Sequence, residues 1–352
     1  MEKIKTIQLK REDEKRWNKL LLNSVNSSYR QSMPFEYSKE NKTRIIFTFI
    51  FEHNGEDIAG AHYSLKHSHY NIIKIADILS GFVFREKPNK EVLSFLTKHF
   101  LDWANDHKAS YARINPWLPK IKDNVQTSYT SLFMSEMNNF GFTAIEKGRH
   151  TYWLDLTSSE DQLMKNMKRQ TRYDIRQGAK SDIKIEYYEK PSDELFEIFW
   201  KLYSFLGNQK SFATLSKERF RKEVVSMMNS GLAMLFLSRF DGIVINASLA
   251  SNFGEASYMY GAINQEFKKL KNCPSPGHIS QWTMISTMKL RKLKIYDLGF
   301  APGNIPVKDD PRYSIWRYKY GFGGQHVEFL PVYGKIIKPL HGRVFQIVKY
   351  KL

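Results

Sequence analysis

Alternating apolar and polar residues indicate two β-hairpins in this chain. The segment IIFTFIFEHNGEDIAGAHYSL, residues 45–65, reads as strand, Asn-Gly turn and strand. The segment LAMLFLSRFDGIVINASLA, residues 232–250, repeats the pattern around an Asp-Gly turn. Both dipeptides favour the tight turn that joins neighbouring antiparallel strands. The two turn glycines, Gly55 and Gly242, lie 187 positions apart.

The elements that follow each hairpin come in the same order. After the first hairpin come the strand NIIKIADILSGFVF, a helix over about residues 90–107 and the strand SYARINP. After the second come ASYMYGAI, a helix over about residues 278–292 and KIYDLGF. Arg113 and Asp297, at matching places in the two closing strands, lie 184 positions apart. This near-constant offset predicts a duplicated α/β lobe.

Three segments between the hairpin units read as helices: SEDQLMKNMKRQTRYDIRQGAKS, SDELFEIFWKLYSFLG and SKERFRKEVVSMMNSG. Each begins with serine and acidic residues, and the second ends at a glycine, which are typical start and stop signals. None is long enough for an extended coiled-coil hairpin.

Near the C-terminus, alternation along WRYKYGF predicts a strand. Its two faces would carry Arg317 with Lys319, and Trp316 with Tyr318 and Tyr320. A lysine beside aromatic residues at a strand end is consistent with a fixed cation in a cleft that largely excludes water. The alternative is that these are ordinary surface side chains of an edge strand.

Charge changes this picture, because the 352 residues include 54 Lys and Arg against 36 Asp and Glu, a net charge of +18. Such an excess suggests an anionic partner, namely nucleic acid, a phosphorylated ligand or a membrane surface. The single cysteine, Cys273, allows no internal disulfide. No apolar leader is present at the start and no apolar run is long enough to span a bilayer. We therefore expect a cytoplasmic protein, with peripheral contact to a membrane surface left open.

Basic residues concentrate in two places. Residues 165–180 contain six Lys and Arg against one acid, and Arg172 and Arg176 lie one helical turn apart. From Arg312 onward eight basic residues accompany one acid, and Arg317 is among them. These basic residues could form a stripe that contacts phosphates, or they could simply be a solvent-exposed helix face. The overall positive charge favours the phosphate-binding stripe.

Several catalytic and ligand-binding motifs are absent. The sequence has no Gly-x-Ser-x-Gly elbow and no His-Glu-x-x-His pair. GFGG is followed by strand-like QHVEFLPVYG and so differs from a dinucleotide-binding turn. Of His62, His67 and His69, strand alternation puts the last two on one face, where no third metal ligand accompanies them. We expect neither a hydrolase triad nor a metal site.

Four stretches, in order, resemble the Fem-type (FemABX) peptidoglycan aminoacyltransferases. RQSMPFEYSK is similar to the family's Gln-Ser-x-x-Trp-Gly-x-x-Lys, and KRQTRYDIRQGAK to its Lys-x-Thr-Arg-Tyr-Asn-Ile-Arg helix. YMYGAI and the later KIYDLGF resemble its Tyr-Leu-Tyr-Gly-Ala, helix, Tyr-Asp-hydrophobic-Gly succession. IWRYKYGFGGQHVEF resembles its Phe-Lys-x-x-Phe-Gly-Gly strand. The resemblance covers nearly the whole chain.

This resemblance implies an α/β (α+β) fold of two tandem GNAT-like lobes, with mixed sheets flanked by helices and no coiled-coil arm. The first lobe is expected over residues 1–155, completed by residues 325–352, and the second over residues 156–324. The implied activity is transfer of an amino acid from aminoacyl-tRNA to an amine on the stem peptide of a UDP-linked or lipid-linked peptidoglycan precursor. A monomer that needs no cofactor is expected.

The same resemblance implies residue roles. Lys319 matches the family lysine that supports transfer, with Tyr318 at the adjoining aromatic place, and Lys39 matches a lysine that binds the acceptor's phosphates. The remaining candidate substrate-binding residues are Lys210, Arg219, Tyr258 and Tyr260. The candidate tRNA-binding residues are Arg172, Arg176, Arg312 and Arg317.

The sequence departs from the family pattern at several positions. Phe35 and Glu36 replace the family's Trp and Gly, and residues 77–82, Asp-Ile-Leu-Ser-Gly-Phe, replace its Tyr-x-x-Arg-Gly-Pro. The family arginine before the second-lobe helix has only Lys210 and Arg219 as candidates. The acceptor therefore need not be the usual muropeptide.

The expected mechanism is attack of an amine on the tRNA ester, with Lys319 stabilising the oxyanion. Asp297 is a weak candidate for the general base, and neither the donated amino acid nor the accepting amine follows from the sequence. Two alternatives stay open, an acyl-CoA N-acyltransferase and a non-catalytic tRNA- or precursor-binding protein. An acyl-CoA N-acyltransferase would have a pyrophosphate-binding turn. The nearest match, residues 239–244, is better interpreted as the hairpin turn.

Overall fold

The chain forms two compact units, one of Met1–Arg149 with Val327–Leu352 and the other of His150–His326. The structure, a computed structural model, describes residues 4–25, 27–68, 73–210, 215–305 and 307–339. Each unit has its own hydrophobic core. The lobe boundaries expected after residues 155 and 324 stay a prediction, and they fall within a few residues of these divisions.

Strands and helices alternate through the first unit as far as residue 149. In chain order they are β1 (Lys5–Leu9), α1 (Glu14–Leu22), α2 (Met33–Tyr37), β2 (Arg44–His53), β3 (Glu56–Ser68), β4 (Ile73–Ile78), β5 (Val83–Phe84), α3 (Lys90–Asp106), β6 (Tyr111–Ile114), β7 (Pro119–Lys122), β8 (Val125–Gln126), α4 (Thr130–Asn139) and β9 (Thr143–Glu146). Short 3₁₀ helices precede α1 and α2.

The second unit contains more helix. Its elements are β10 (His150–Asp155), α5 (Glu160–Asn166), α6 (Arg169–Ala179), β11 (Lys184–Tyr188), α7 (Asp193–Lys210), α8 (Lys217–Asn229), β12 (Ala233–Phe240), β13 (Ile243–Ser251), β14 (Ala256–Ile263), α9 (Gly277–Leu290), β15 (Ile295–Asp297) and α10 (Tyr313–Gly321). Strand β16 (Gln325–Phe329) leads the chain back into the first unit, where β17 (Val332–Ile336) follows.

Each unit is built on a mixed sheet with the same connectivity. The first has the strand order β1-β2-β3-β4-β6-β17-β9, and the second contains β11-β12-β13-β14-β15-β10. In both, an antiparallel hairpin leads to a strand, a helix and a closing strand that runs parallel to the strand before the helix, as β4–β6 and β14–β15 do. The duplication predicted from the sequence is therefore seen in the order of elements.

Local sequence explains the elements that were predicted well. Asn54 and Gly55 have φ values of 52° and 77°, and Asp241 and Gly242 have 49° and 76°, which are the left-handed values that a type I′ turn requires. Helix α3 buries Leu93, Leu96, Phe100 and Trp103, spaced three or four residues apart, against the first sheet. Both hairpins, the amphipathic helix α3 and the helix α9 are confirmed.

The predicted strand over WRYKYGF is wrong, because these residues lie in helix α10. The rings of Trp316 and Tyr320 stack with centroids 4.8 Å apart, the i,i+4 relation of a helix. Arg317 is exposed whereas Lys319 is buried, so the two do not share a face. Seven residues of alternation were too few to separate a strand from a short helix.

Two helix predictions are corrected as well. The basic segment is not one helix, because Met167 adopts an extended conformation, buries its side chain and separates α5 from α6. Helix α7 does not stop at Gly207 but continues to Lys210. At 18 residues it is the longest helix in the part of the chain that the structure describes, which agrees with the prediction of no coiled-coil arm.

Candidate functional site

Lys319 is the buried cation at the centre of the candidate site in the second unit. Helix α10 places its side chain inward with 8% of the residue exposed. Its ammonium donates to the backbone carbonyl of Leu298 at 2.5 Å and lies 5.7 Å from the centroid of the Tyr258 ring. One carbonyl, an aromatic face and a nearby carboxylate on Asp297 therefore surround this charge.

Asp297 and Gly299 form the turn that receives Lys319. Asp297 ends β15 and is 4% exposed; its Oδ1 accepts from the backbone N–H of Gly299 at 2.7 Å and from the hydroxyl of Thr151. Gly299 has φ +77°, and a Cβ there would stand 3.2 Å from Nζ of Lys319 and 3.0 Å from the carbonyl oxygen of Tyr258. The turn thus requires glycine both for its backbone conformation and for the room it leaves the lysine.

Burial tunes this lysine toward neutrality. Desolvation lowers the pKa of Lys319 from 10.5 to about 8, against the opposing attraction of Asp297. A lysine with a pKa near the working pH is mostly protonated at pH 7 and releases its proton readily. The group is therefore equipped to stabilise a developing oxyanion, or to exchange a proton with a reacting amine.

Two tyrosines of the predicted site lie close to Lys319 and keep their protons. Burial raises the pKa of Tyr258 to about 12, although a hydrogen bond with Ser248 opposes the rise. Burial also raises the pKa of Tyr318, whose hydroxyl donates to the carbonyl of Gly277 at 2.9 Å. Tyr318 is therefore tied to the start of α9, while Tyr258 presents its ring toward the lysine.

Tyr260 lies two residues farther along β14 and has different partners. Its hydroxyl donates to the carboxylate of Glu223 at 2.6 Å, and its ring packs edge-on against Phe220 at 5.2 Å. Arg219 lies on the same helix, α8, one turn before Glu223, and its Nε is buried without a hydrogen-bond partner. Lys210 ends α7, and its side chain lies outside the described residues.

The basic residues assigned to tRNA differ in their availability. Arg172 folds back onto the carbonyls of Met167 and Lys165, and the exposed guanidinium of Arg312 is bound by the carboxylate of Asp310. Arg176 and Arg317 are exposed on α6 and α10, two helices packed together where the backbone N–H of residue 168 donates to the carbonyl of residue 321. These two arginines are the ones best placed to meet an anionic surface.

Lys39, in the first unit, is already paired. Its ammonium lies 2.7 Å from Glu36 Oε1 and 4.2 Å from the centroid of the Phe35 ring, and the residue is 8% exposed. The hydroxyl of Ser80 donates to the same carboxylate oxygen at 2.7 Å. Burial raises the pKa of Glu36, but the charges of Lys39 and His62 and the hydrogen bonds from Lys39 and Ser80 together outweigh it, so the net pKa is below the ordinary value.

The remaining histidine and turn motifs have structural partners. His62 is buried between the hydroxyl of Thr48 at 2.8 Å and the carbonyl of Gln31 at 2.9 Å. His69 lies outside the described residues, and no group of three or more metal-ligating side chains comes together among those that are described. Arg239 and Gly242 belong to the β12–β13 hairpin and do not form a pyrophosphate-binding loop.

Sequence reasoning missed four residues that shape these sites: Thr151, Gly299, Glu223 and Glu36. The spacing of Glu36 and Lys39, i and i+3 in a short helical segment, was a usable signal for their pairing. The contacts of Thr151 with Asp297 and of Glu223 with Tyr260 join residues 146 and 37 positions apart. No local pattern reports such contacts.

Comparison with known proteins gives a consistent result. The profile of the FemAB family matches residues 13–241, more than half of the chain. The crystal structure of FemX aligns over 98% of this chain and 99% of its own, with a TM-score of 0.82 and 18% identity. No curated protein sequence is significantly similar.

Two further structures share the fold at lower similarity. A tandem GNAT protein from the clavulanic acid biosynthesis pathway aligns over 95% of this chain and 98% of its own, with a TM-score of 0.54 and 10% identity. L-PGS from Bacillus licheniformis aligns over 97% and 96%, with a TM-score of 0.55 and 12% identity. The predicted fold of two tandem GNAT-like lobes is therefore confirmed. None of the described helices is long and apolar enough to cross a membrane.

Proposed function

Because the chain belongs to the FemAB family, we propose that it transfers an amino acid from aminoacyl-tRNA to an amine on a peptidoglycan-precursor stem peptide. The observation that carries this proposal is the buried lysine of α10, whose ammonium donates to the backbone carbonyl of Leu298 beside Asp297, Gly299 and Tyr258. The net charge of +18 supports an anionic partner of the size of tRNA.

The reaction requires little from the protein beyond placement and charge. The neutral acceptor amine attacks the ester carbonyl, a C–N bond forms, and negative charge develops on the carbonyl oxygen. Collapse of this intermediate breaks the C–O bond to the tRNA ribose, which leaves with a proton originating from the amine. An ester is already activated, so no side-chain nucleophile takes part.

Lys319 is the proposed oxyanion stabiliser. In its protonated form it offers N–H donors in an environment where water is scarce, and charge–dipole interactions are stronger there than in water. Tyr258 holds the ammonium on its aromatic face, and Asp297 keeps the lysine more protonated than burial alone would. Tyr318 acts as a positioning residue, because its hydroxyl is bound to the start of α9.

Donor and acceptor contacts are proposed for the remaining residues. Arg176 and Arg317, exposed on adjacent helices, contact tRNA phosphates, with Arg172 and Arg312 supporting them after rearrangement of their present bonds. Tyr260 and Arg219 face the acceptor. Binding of this kind weakens steeply as salt rises, because phosphate contacts release counterions.

Single-turnover transfer tests the proposal directly. A mixed pool of radiolabelled aminoacyl-tRNAs is incubated with UDP-linked pentapeptide or its lipid-linked form, using wild type and Lys319→Met. We expect label in one acceptor. In the variant we expect the transfer rate to fall by about 100-fold or more, the usual effect of losing one oxyanion donor.

Lys289→Met is the matched control. Lys289 is a lysine of the same unit whose ammonium also donates to backbone carbonyls, those of Leu156 at 2.8 Å and Ser158 at 2.6 Å. Lys289 lies outside the proposed site, so the transfer rate of Lys289→Met should stay within about twofold of wild type. Equal rates for wild type and Lys319→Met would contradict the proposed role. An absence of transfer despite tRNA binding would redirect the search to acyl-CoA donors or to a binding function.

A further inference from the structure

Helix α6 turns one face inward and the opposite face to solvent. The inward face lies against α9 and depends on Gly178, because a Cβ there would stand 2.6 Å from Cβ of Ile279. At 3.6 residues per turn, the outward positions, spaced four, three and four residues apart, fall within an arc of about 60°. These exposed positions are Arg169, Tyr173, Arg176 and, directly after the helix, Lys180. We call this set of four residues the α6 stripe.

Three of the four residues of the α6 stripe are cations. Within the ranges that the structure describes, none of the three forms an ion pair or a side-chain hydrogen bond. The one acid of α6, Asp174, lies off the stripe, where its carboxylate accepts from Gln170 at 2.8 Å and lies 3.3 Å from Nδ1 of His278 on α9. The stripe therefore carries three positive charges that no described acid pairs with.

Tyr173 lies between these cations and has an open ring. The residue is 55% exposed, and among the described residues its ring contacts no other ring and no cation. Tyr320, the exposed tyrosine of the neighbouring α10, differs, because its ring stacks on that of Trp316 with centroids 4.8 Å apart. The ammonium of Lys168 also lies 4.5 Å from the centroid of the Tyr320 ring. Tyr173 therefore offers a face for stacking that Tyr320 does not.

An exposed tyrosine alone does not make such a surface. Tyr187 on β11 is 52% exposed, but its ring lies 5.9 Å from that of Phe236 and its chain neighbour is the acid Glu186. The α6 stripe differs in that cations precede and follow the open ring by about one helical turn. An unpaired nucleic-acid strand is complementary to it, because negative phosphates alternate there with flat bases that stack on aromatic rings. A lipid surface offers charges without such rings, and a duplex keeps its bases stacked inside.

We propose that the α6 stripe binds single-stranded RNA, with one unpaired base stacked on Tyr173 and phosphates bound by the three cations. Stacking combined with phosphate contacts is typical of single-strand binding and requires no particular base sequence. Helix α6 adjoins α10, the helix of Lys319, because the N–H of residue 168 donates to the carbonyl of residue 321 at 2.8 Å. In the proposed reaction the bound strand is the unpaired 3′ end of the aminoacyl-tRNA. That identification rests on the proposed function, whereas single-strand binding itself does not.

The site is tested with a labelled, unpaired RNA of about 12 nucleotides and with a blunt RNA hairpin of similar charge. Fluorescence anisotropy of the full-length protein at low salt compares wild type with Tyr173→Leu, Tyr173→Phe and the control Tyr187→Leu. We expect Tyr173→Leu to weaken binding of the unpaired RNA about tenfold or more and to leave binding of the hairpin within about twofold. Tyr173→Phe keeps the stacking ring and Tyr187→Leu removes a ring outside the stripe, so both should stay within about twofold of wild type.

Salt dependence tests the cations. Arg176→Gln should weaken binding of the unpaired RNA and lower the slope of log affinity against log salt by about 0.7, the value for one phosphate of a single strand. Tyr173→Leu should lower the affinity without changing this slope, because stacking releases no counterion. Circular dichroism of each variant verifies folding.

Two results overturn the stacking site. One is equal binding of the unpaired RNA by wild type and Tyr173→Leu, and the other is a loss of affinity in Tyr173→Leu that is as large for the hairpin. A wild-type protein that binds phosphatidylglycerol vesicles but no unpaired RNA would make the stripe a membrane contact, and would overturn the proposal as well.

A second arm identifies the bound strand. Deacylated tRNA and the same tRNA without its unpaired 3′ nucleotides are titrated into wild type and Tyr173→Leu. We expect Tyr173→Leu to weaken binding of the intact tRNA by about tenfold and to leave binding of the shortened tRNA within about twofold. If the variant weakens both alike, or neither, the identification with the 3′ end fails. Transfer is scored separately, so a protein that binds unpaired RNA through Tyr173 but transfers no amino acid contradicts the proposed function alone.

Discussion

In both units the parallel pair of strands carries a buried acidic side chain, but the two acids lie on different strands of the pair and are satisfied in different ways. In the first, Asp77 on β4 lies opposite Arg113 on β6 in the parallel pair, and the two form an ion pair at 2.9 Å. In the second, Ser257 on β14 lies opposite Asp297 on β15. Asp297 is bound by a backbone N–H and a hydroxyl, with Lys319 approaching from a helix.

This difference separates a structural charge pair from a reactive one. Arg113 and Arg44 both contact Asp77, which is 1% exposed, so its charge is compensated within the unit. Lys319 instead stays near a carboxylate that already has two donors, and desolvation dominates its titration. A buried charge that is fully paired stabilises the fold or leaves its stability unchanged. A buried charge that is only partly compensated has a shifted pKa, which suits catalysis.

The largest expected effect comes from breaking the pair in the first unit. Among the residues that the structure describes, Arg113→Met leaves the buried carboxylate of Asp77 only the longer contact to Arg44 at 3.8 Å. We expect unfolding free energy to fall by about 3 kcal/mol, the cost typical of orphaning a buried charge. Urea unfolding followed by circular dichroism measures it.

Two further proteins control this measurement. The double variant Asp77→Asn with Arg113→Met removes both charges and should recover much of the loss. Arg85→Met, which breaks an exposed pair, should cost under about 1 kcal/mol. A cost for Arg113→Met as small as that of Arg85→Met would show that Asp77 is not compensated as described.

In the second unit, removing the buried cation is expected to raise the unfolding free energy rather than lower it. The folded-state pKa of Lys319, about 8, lies below its unfolded value of 10.5, so burial of the charged form is unfavourable at pH 7. Replacing it by Met should raise unfolding free energy by about 3 kcal/mol there. Because wild type gains stability as pH rises from 8 to 10.5, the difference should shrink over that range.

Urea unfolding of wild type and Lys319→Met at pH 7, 8.5 and 10 checks this. Lys289→Met, which removes two hydrogen bonds to backbone carbonyls, should destabilise and show no such gain. A Lys319→Met protein that is less stable than wild type at pH 7 would contradict the unfavourable burial of this lysine.

Much of the scaffold could be predicted from the sequence, because its signals are local. The turn residues Gly55 and Gly242 and the apolar face of α3 are readable from short windows. Helix α10 was missed because Trp316 and Tyr320 satisfy both a two-residue and a four-residue period. The compensation of Lys39 by Glu36 was missed because a family pattern directed attention to the lysine alone.

The candidate site was predictable only in part. Lys319 and Tyr258 were both named as site residues, the first as catalytic and the second as substrate-binding, and the ammonium of Lys319 lies 5.7 Å from the centroid of the Tyr258 ring. Their roles stay predictions. The reason that Lys319 has a shifted pKa, burial against a glycine turn at Gly299, depends on packing between distant segments. Such information is absent from the sequence spacing.

The pH dependence of transfer distinguishes the two chemical roles open to Lys319. An oxyanion stabiliser must be protonated, so the single-turnover rate should decrease above pH 8, by about tenfold for each further unit. A general base must be neutral, so its rate would rise through pH 8 instead. Measuring the rate from pH 6.5 to 9.5 with saturating substrates decides between them, and a flat profile would contradict both.

The smallest expected effect concerns Tyr258 and Tyr260, two tyrosines of β14 that have different partners. Tyr260→Phe removes a donor from Glu223, which is 1% exposed, and should lower unfolding free energy by about 1–2 kcal/mol.

Tyr258→Phe keeps the ring that faces Lys319 and should leave the transfer rate within about threefold of wild type, since the aromatic face and not the hydroxyl contacts the cation. Tyr258→Leu, which removes that face, should slow transfer more than Tyr258→Phe does. Equal rates for the Phe and Leu variants would show that the ring does not position the lysine, and would leave the backbone carbonyl of Leu298 and Asp297 as its supports.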